Sequence, residues 1–209
     1  MTLQTCIFDL GNVLVFFSHD RMVDNIVRVA GTTHDVVRNF LFDSQFQAAL
    51  ETGAITEAQF HAEFEAHANV TVPFEDLKHA VADIFELNAD MVPLLSELKS
   101  AGMRLVLLSN TCVTHIEFVR SRWDVLDVFD AITTSWEVGA LKPDPRIYES
   151  ALAQANCPAK NCFFTDDIED YVRQAQSIGI HARVFQNAQT TRHTLQQLGV
   201  SLRDERTVE

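Results

Sequence analysis

Basic residues are scarce in this 209-residue sequence. Lysine and arginine together number 16, against 29 aspartates and glutamates, and the formal net charge is -13. Proteins bind nucleic acids and anionic membranes through basic faces that neutralise phosphate groups. The charge balance therefore argues against both kinds of partner, and a site for an anion in this chain needs its cations concentrated locally.

Long apolar runs and clustered cysteines are also missing. No stretch approaches the roughly 20 apolar residues that span a bilayer, and the first residues, MTLQTC, carry neither a basic flank nor a cleavage pattern. The cysteines form no CxxC pair and have no zinc-finger spacing, so we expect reduced, mostly buried thiols. These absences favour a soluble, cytoplasmic protein.

The segment from residue 15 to residue 88 has the apolar spacing of helices. Phe60 and Phe64, for example, lie four positions apart on one predicted helix face. Thr56, with Gln59 three residues later, has the pattern of a capping box at the start of this helix. We therefore predict a small all-helical cap inserted after the first strand.

From Asn88, which we expect to cap the next helix, helices alternate with short apolar strands. The predicted strands cover 103–108, 130–134, 161–165 and 181–185. This alternation indicates right-handed βαβ units and a mostly parallel sheet. The predicted fold is α/β, with a Rossmann-like core formed by residues 1–14 and 89–209 and a helical cap formed by residues 15–88. We expect the polar tail 203–209 to fray.

Four apolar runs of this core each end in polar groups suited to phosphate chemistry. They are Cys6-Ile7-Phe8-Asp9, Leu105-Val106-Leu107-Leu108 before Ser109-Asn110-Thr111, Gly139-Ala140-Leu141-Lys142-Pro143-Asp144, and Phe163-Phe164-Thr165 before Asp166-Asp167. Ligands bind beyond the carboxyl ends of the strands in an open parallel sheet, so these groups can converge although they are far apart in sequence. A carboxylate, a hydroxyl, an ammonium group and an acidic pair would then share one pocket.

These motifs, in this order and spacing, resemble those of the haloacid dehalogenase-like (HAD) hydrolase superfamily. The resemblance covers nearly the whole chain, including the position of the helical cap. The run Phe8-Asp9-Leu10-Gly11-Asn12-Val13-Leu14 is most similar to the sugar-phosphate phosphatase branch around α-D-glucose-1-phosphate phosphatase. The resemblance implies a HAD-like Rossmannoid core and a Mg²⁺-dependent phosphoric monoester hydrolase. Its implied substrate is a small phosphorylated metabolite, in particular a sugar phosphate.

The resemblance also implies roles for acidic residues. Asp9 is the implied catalytic nucleophile, which forms an aspartyl-phosphate that water then hydrolyses. The implied metal ligands are Asp9, the Gly11 carbonyl oxygen and the pair Asp166 and Asp167. Asp170 is an implied outer partner that orients metal-bound water.

Four further residues are implied to hold the phosphate group. Ser109 would donate a hydrogen bond to a non-transferring oxygen, and the backbone amides of Asn110 and Thr111 would add donors at the start of the next helix. Lys142 would bind the same group and stabilise both the nucleophile and the transition-state oxygens. Lys142 is thus implied in both binding and catalysis.

Gly11 departs from the pattern of most phosphatases in the superfamily. Those enzymes carry an aspartate there that protonates the leaving oxygen and then activates water, a role worth roughly 10²–10⁴-fold in rate. The similar sugar-phosphatase branch carries the same glycine, which argues against an inactive enzyme. We expect that good leaving groups, such as anomeric sugar phosphates, are favoured over simple alkyl phosphates.

Other interpretations of the motifs stay open at this level. A 2-haloacid dehalogenase would use Asp9 to attack carbon without a metal, although that branch usually has an aromatic residue in place of Gly11 and lacks a paired acidic site. A catalytically impaired phosphate-binding protein would keep the pocket and lose turnover. An exposed or capping role is the more frequent one for a histidine such as His115. The resemblance places the cap hinge and substrate entrance at Phe16, Phe17, His19 and Arg21.

Overall fold

The computed structural model describes residues 2–43 and 45–202. In this part of the chain the strands are β1 (Thr5–Phe8), β2 (Val15–Phe17), β3 (Phe85–Leu87), β4 (Arg104–Ser109), β5 (Ala131–Thr134), β6 (Cys162–Asp166) and β7 (His181–Val184). The helices are α1 (His19–Ala30), α2 (His34–Arg38), α3 (Phe46–Glu51), α4 (Glu57–Ala68), α5 (Phe74–Ala82), α6 (Met91–Ser100), α7 (Val113–Arg122), α8 (Ser135–Val138), α9 (Pro145–Ala155), α10 (Glu169–Ser177) and α11 (Ala188–Gln197). The tail 203–209, for which we expect fraying, lies outside the described residues.

A parallel sheet of strand order β5-β4-β1-β6-β7 forms the centre of the molecule. Every residue of β1 is buried, and its side chains alternate between two apolar layers. Cys6 and Phe8 belong to one layer, and Ile7 belongs to the other. A strand buried on both faces has a continuous apolar sequence. The predicted α/β fold with a mostly parallel sheet is confirmed.

The insert between β1 and α6 is built from α1 to α5 around aromatic contacts. The Phe40 ring stacks on the Phe46 ring with centroids 4.9 Å apart, and it meets the edges of the Phe60 and Phe64 rings. β2 and β3 pair antiparallel at the two ends of the insert. The prediction of an all-helical cap misses this ribbon, because strands of three residues are too short to show the two-residue alternation of apolar side chains.

Asn88 joins the ribbon to the core rather than capping α6. Its side-chain Nδ2 donates a hydrogen bond to the Val13 carbonyl oxygen at 2.8 Å, and its backbone N–H donates to the Leu14 carbonyl oxygen at 3.0 Å. Asp90 occupies the position before the first residue of α6. The prediction that Asn88 caps helix α6 is therefore wrong. Its amide instead connects the two points at which the chain passes between the core and the insert. We propose these crossings as the boundary between the core, 1–14 and 89–209, and the cap, 15–88.

Other local signals behave as their sequence suggests. Thr56 and Gln59 form the predicted capping box at the start of α4. The Asp144 side chain accepts a hydrogen bond from the Arg146 backbone N–H, and Pro145 occupies the first turn of α9. Within the described residues, no helix combines the length and hydropathy that crossing a bilayer requires.

Candidate functional site

Lys142 lies at the centre of the polar groups that converge at the carboxyl edge of the sheet. Its ammonium group donates to Asp9 Oδ1 at 2.7 Å and to Asp166 Oδ2 at 2.5 Å. A third hydrogen bond reaches the Leu108 carbonyl oxygen at 3.2 Å. Asp9 directly follows β1 and Asp166 ends β6, so the neighbouring strands bring residues 133 and 24 positions from Lys142 into direct contact with it.

Burial and charge shift the proton affinities of this cluster. Lys142 is 3% exposed, Asp9 is 7% exposed and Asp166 is fully buried. Burial raises the pKa of Asp9 to about 7; the Lys142 charge opposes this rise and the Asp166 charge adds to it. Burial alone would lower the pKa of Lys142, but the charges of Asp9 and Asp166 hold it above its usual range. The lysine is therefore a fixed cation.

Neighbouring side chains hold Lys142 in place. Asn110 Oδ1 accepts a hydrogen bond from the Lys142 backbone N–H at 2.7 Å, and Asn110 Nδ2 donates to the Lys142 carbonyl oxygen at 3.2 Å. The ammonium group lies 5.2 Å from the centroid of the Tyr171 ring and 5.8 Å from that of the Phe164 ring, within the range of cation–π attraction. The sequence did not indicate the role of Tyr171, since nothing in its neighbourhood predicts which face of α10 meets the lysine.

Asp9, Asp166 and Asp167 form a carboxylate cluster beside Lys142. Each offers one oxygen atom, and these atoms lie within 4.8 Å of one another. Asp166 Oδ1 accepts a hydrogen bond from the Ile168 backbone N–H at 2.9 Å, and Asp167 Oδ2 accepts one from Asn12 Nδ2 at 2.9 Å. One ammonium group does not balance three carboxylates, and a hard divalent cation with oxygen ligands fits this donor set.

Two of the predicted site groups do not join the cluster. Asp170 is exposed, and its carboxylate accepts a hydrogen bond from Arg173 on the next turn of α10. That pairing, at a helix start where acids are favoured anyway, leaves Asp170 outside the carboxylate cluster, and its role as an outer partner stays a prediction. The Thr111 backbone N–H donates to Ser135 Oγ at 2.9 Å, and α7 begins only at Val113. The Thr111 amide is therefore already hydrogen-bonded within the protein, and its role in phosphate binding stays a prediction.

A cavity lies between the cap and this edge of the sheet. Gly11, Ser109 and Asn110 line it from the core, and Phe17, His19 and Glu51 line it from the cap. Ser109 is 2% exposed, so access to it runs through this cavity. Phe17 and His19 thus lie where the entrance was predicted. Phe16, by contrast, is exposed, and Arg21 pairs with Asp83 within the cap.

His115 also lines this cavity. It is 8% exposed, and its ring meets the Phe85 ring edge-on, with centroids 5.1 Å apart. The expectation of an exposed or capping histidine is wrong, because α5 and β3 cover this face of α7. The sequence cannot distinguish an exposed histidine from a buried one at this position, because the difference depends only on which cap residues pack over α7.

Comparisons with known proteins find similar hydrolases in sequence and in structure. The sequence profile of the haloacid dehalogenase-like hydrolases matches residues 3–179. Phosphatase MT3486 of Mycobacterium tuberculosis is 24% identical over 92% of this chain and 91% of its own length. Sesquiterpene phosphatase astK of Aspergillus oryzae is 26% identical over 94% of this chain and 97% of its own length.

Solved structures show the same fold. The HAD family enzyme bt-2542 of Bacteroides thetaiotaomicron superposes with a TM-score of 0.83 at 23% identity, over 93% of this chain and 99% of that one. Its complex with magnesium and inorganic phosphate superposes with a TM-score of 0.80 at 24% identity, over 88% of this chain and 95% of that one. Both comparisons span the sheet and the cap.

Proposed function

The chain belongs to the haloacid dehalogenase-like hydrolase family, and from that membership we propose that it is a Mg²⁺-dependent phosphatase. Its substrate is a small phosphorylated metabolite, in particular a sugar phosphate. The observation that carries the proposal is the Lys142 ammonium group, which bridges Asp9 and Asp166 next to a cavity lined by Gly11, Ser109 and Asn110. This arrangement pairs a nucleophilic carboxylate with a fixed cation at the point where a phosphate would enter.

The proposed reaction has two steps, both at phosphorus. An Asp9 carboxylate oxygen attacks the phosphorus atom as the bond to the leaving oxygen breaks, which gives an aspartyl-phosphate. Water then attacks the same phosphorus atom as the bond to the Asp9 oxygen breaks, which releases inorganic phosphate. The attacking water gives one proton to solvent, and the leaving alkoxide takes one proton from solvent. Lys142 favours the ionised form of Asp9 and stabilises the negative charge of the phosphoryl oxygens in both steps. Ser109 and the Asn110 backbone amide bind the non-transferring oxygens.

The carboxylate cluster is the proposed metal site. Asp9, Asp166, Asp167 and the Gly11 carbonyl oxygen supply hard oxygen ligands, which suit Mg²⁺. Bound there, the ion would neutralise the phosphate dianion and polarise the phosphoryl group. The magnesium and phosphate complex of bt-2542 supports the choice of metal and ligand, and the phosphatase names of MT3486 and astK support the reaction class.

A phosphate-release assay tests this proposal. The native chain would be incubated with phosphorylated metabolites, including sugar phosphates, alkyl phosphates and a prenyl phosphate, with Mg²⁺ or with chelator. We expect release only with Mg²⁺, and none from Asp9→Asn. Asp127→Asn is the matched control: it removes the same charge at an exposed position outside the cluster, and it should keep native activity.

The same assay separates the alternative functions. Halide release from a 2-haloacid that persists in chelator would identify a dehalogenase and contradict the phosphatase proposal. Binding of Mg²⁺ and phosphate without turnover on the whole panel would identify a phosphate-binding protein instead. The carboxylate pair at Asp166 and Asp167 argues against the first alternative, because carbon attack by Asp9 needs no metal.

A further inference from the structure

His115 is a buried polar residue that the proposed phosphate chemistry leaves unused. Its Nε2 atom is buried and has no hydrogen-bond partner among the described residues. The residue lines the cavity above Gly11. A buried acceptor without a partner is unfavourable and rare in native proteins, so each case calls for an explanation.

The charge state of this histidine follows from its surroundings. Burial lowers the pKa of His115 to about 4, opposed by a hydrogen bond to the Val81 carbonyl oxygen and assisted by His19. The ring is therefore neutral at physiological pH. Since a carbonyl oxygen only accepts hydrogen bonds, the ring nitrogen that meets Val81 carries the hydrogen, and Nε2 keeps its lone pair. His115 thus presents an uncharged acceptor.

The remaining cavity wall fits a ligand with one polar edge and one apolar face. Glu51 adds acceptor oxygens at the end of α3, where Gln47 Nε2 donates to Glu51 Oε1 at 3.0 Å. The apolar part of the wall is formed by Leu10, Met22, Ile84 and Phe85. A sugar ring has this division, with hydroxyl donors along its edge and C–H groups on its faces.

We propose that His115 determines leaving-group specificity: its Nε2 atom accepts a hydrogen bond from a hydroxyl group of the alcohol that leaves. This inference rests on the proposed phosphatase function and adds to it a residue that reads the leaving group rather than the phosphate. The enzyme then prefers esters of hydroxylated alcohols to esters of equal size without hydroxyls. When an ester without hydroxyl groups binds, Nε2 has no hydrogen-bond donor, and the cost of desolvating Nε2 weakens transition-state binding of that ester.

Two esters of similar ring size test the inference. α-D-Glucose 1-phosphate carries ring hydroxyls and cyclohexyl phosphate has none. With Mg²⁺, His115→Phe should lower kcat/KM for glucose 1-phosphate on the order of 10- to 100-fold, the effect of one buried hydrogen bond to a ligand. It should not lower kcat/KM for cyclohexyl phosphate, because phenylalanine keeps the packing against Phe85 and removes the unpaired acceptor that penalises this ester. His115→Gln, which retains an acceptor, should recover part of the loss.

Controls separate the possible failures. His79→Phe makes the same replacement on an exposed position of α5, outside the cavity, and should change neither ester. Equal losses on both esters, or no loss on either, would contradict the role of His115 and leave the phosphatase proposal intact. Native turnover of cyclohexyl phosphate alone would also contradict it. If the native chain released phosphate from neither ester nor from the wider panel, the phosphatase function itself would fail, and this inference with it.

Discussion

The Phe17 ring occupies the space that a side chain at Gly11 would need. A Cβ atom built on Gly11 would lie 2.8 Å from Phe17 Cε1, closer than Cβ atoms approach other carbon atoms. The Phe17 ring is itself in contact with the rings of His19 and Phe85, at centroid distances of 5.1 and 6.4 Å. The Phe17 ring from the cap therefore fills the space that an acidic side chain at position 11 would occupy, so the residue types at positions 11 and 17 depend on each other.

An aspartate at position 11, as most phosphatases of the superfamily have, should not be accommodated unless Phe17 is also replaced by a smaller residue. Gly11 is absent from the positive-φ glycines, so the obstacle is the ring and not the backbone. We expect Gly11→Asp to destabilise the protein by about 1–3 kcal/mol, as overpacking does, and to lower activity. The double variant Gly11→Asp with Phe17→Ala should regain stability and raise kcat on alkyl phosphates. Thermal unfolding and phosphate release measure both effects, with Phe17→Ala alone as control.

Without a carboxylic acid at position 11, rates should depend steeply on the leaving group. Leaving oxygens that depart unprotonated carry more negative charge in the transition state, so a lower leaving-group pKa should speed the first step. A series of substituted aryl phosphates, assayed with Mg²⁺, gives the slope of log kcat/KM against leaving-group pKa. A flat series in the native chain would show that another group already protonates the leaving oxygen.

The sequence predicts the sheet and the core of the site for a physical reason. Parallel strands buried on both faces must be apolar throughout and must end in polar residues at one edge. Asp9 and Asp166 are therefore visible as breaks in apolar runs. Lys142 lies in the loop between α8 and α9 and is indicated by its motif instead; the structure brings all three into contact. The four predicted strand ranges agree with β4, β5, β6 and β7 to within one residue at every end.

What the sequence does not predict depends on the direction of side chains across distant elements. The contact of Phe17 with Gly11 and the position of Tyr171 over Lys142 are set by how the cap and α10 pack on the sheet. The Asp170 carboxylate likewise pairs with Arg173 and lies outside the carboxylate cluster. No local pattern encodes these choices.

Removing the Lys142 charge should destabilise the protein strongly. Lys142→Met leaves Asp9 and Asp166 buried without a cation, and breaking such a buried pair costs about 3–5 kcal/mol. Activity should also be lost. Lys99→Met is the matched control, because Lys99 pairs with Asp130 at the surface, where such pairs are worth about 0–1 kcal/mol. Urea unfolding in chelator would compare the two variants, and equal losses would contradict the central role of Lys142.

Mg²⁺ should stabilise the protein more at high pH than at low pH. The pKa of Asp9 is raised to about 7 by burial, above the usual value of about 3.9. In the metal-free protein, the stability that this proton contributes is fully present below about pH 4 and is lost as the pH rises through about 7. The metal needs the ionised carboxylate, so its binding strengthens over the same upper range.

We therefore expect a larger rise in Tm on adding Mg²⁺ at pH 8 than at pH 6. Calorimetry at both values, with and without chelator, measures this difference. Asp9→Asn should reduce the difference, since the titrating group is gone, and Asp127→Asn, at an exposed position outside the cluster, should preserve it. A Mg²⁺ effect that is equal at both pH values in the native chain would mean that Asp9 is already ionised before the metal binds.

The loop after α3 should be sensitive to a single methyl group, because Gly53 lies against the core. Gly53 has a φ of +67° and a Cβ there would lie 2.7 Å from the Trp136 carbonyl oxygen, a backbone atom at α8; Gly31 has a φ of +64° and nothing within 4 Å. Alanine is strained in the left-handed backbone conformation of both positions, which should lower the free energy of unfolding by about 1 kcal/mol. Only Gly53→Ala should also push the loop from the core. Since Glu51, just before this loop, lines the cavity, we expect Gly53→Ala to lower both Tm and kcat/KM, and Gly31→Ala to lower Tm alone. Equal effects of the two variants on kcat/KM would show that this contact does not shape the cavity.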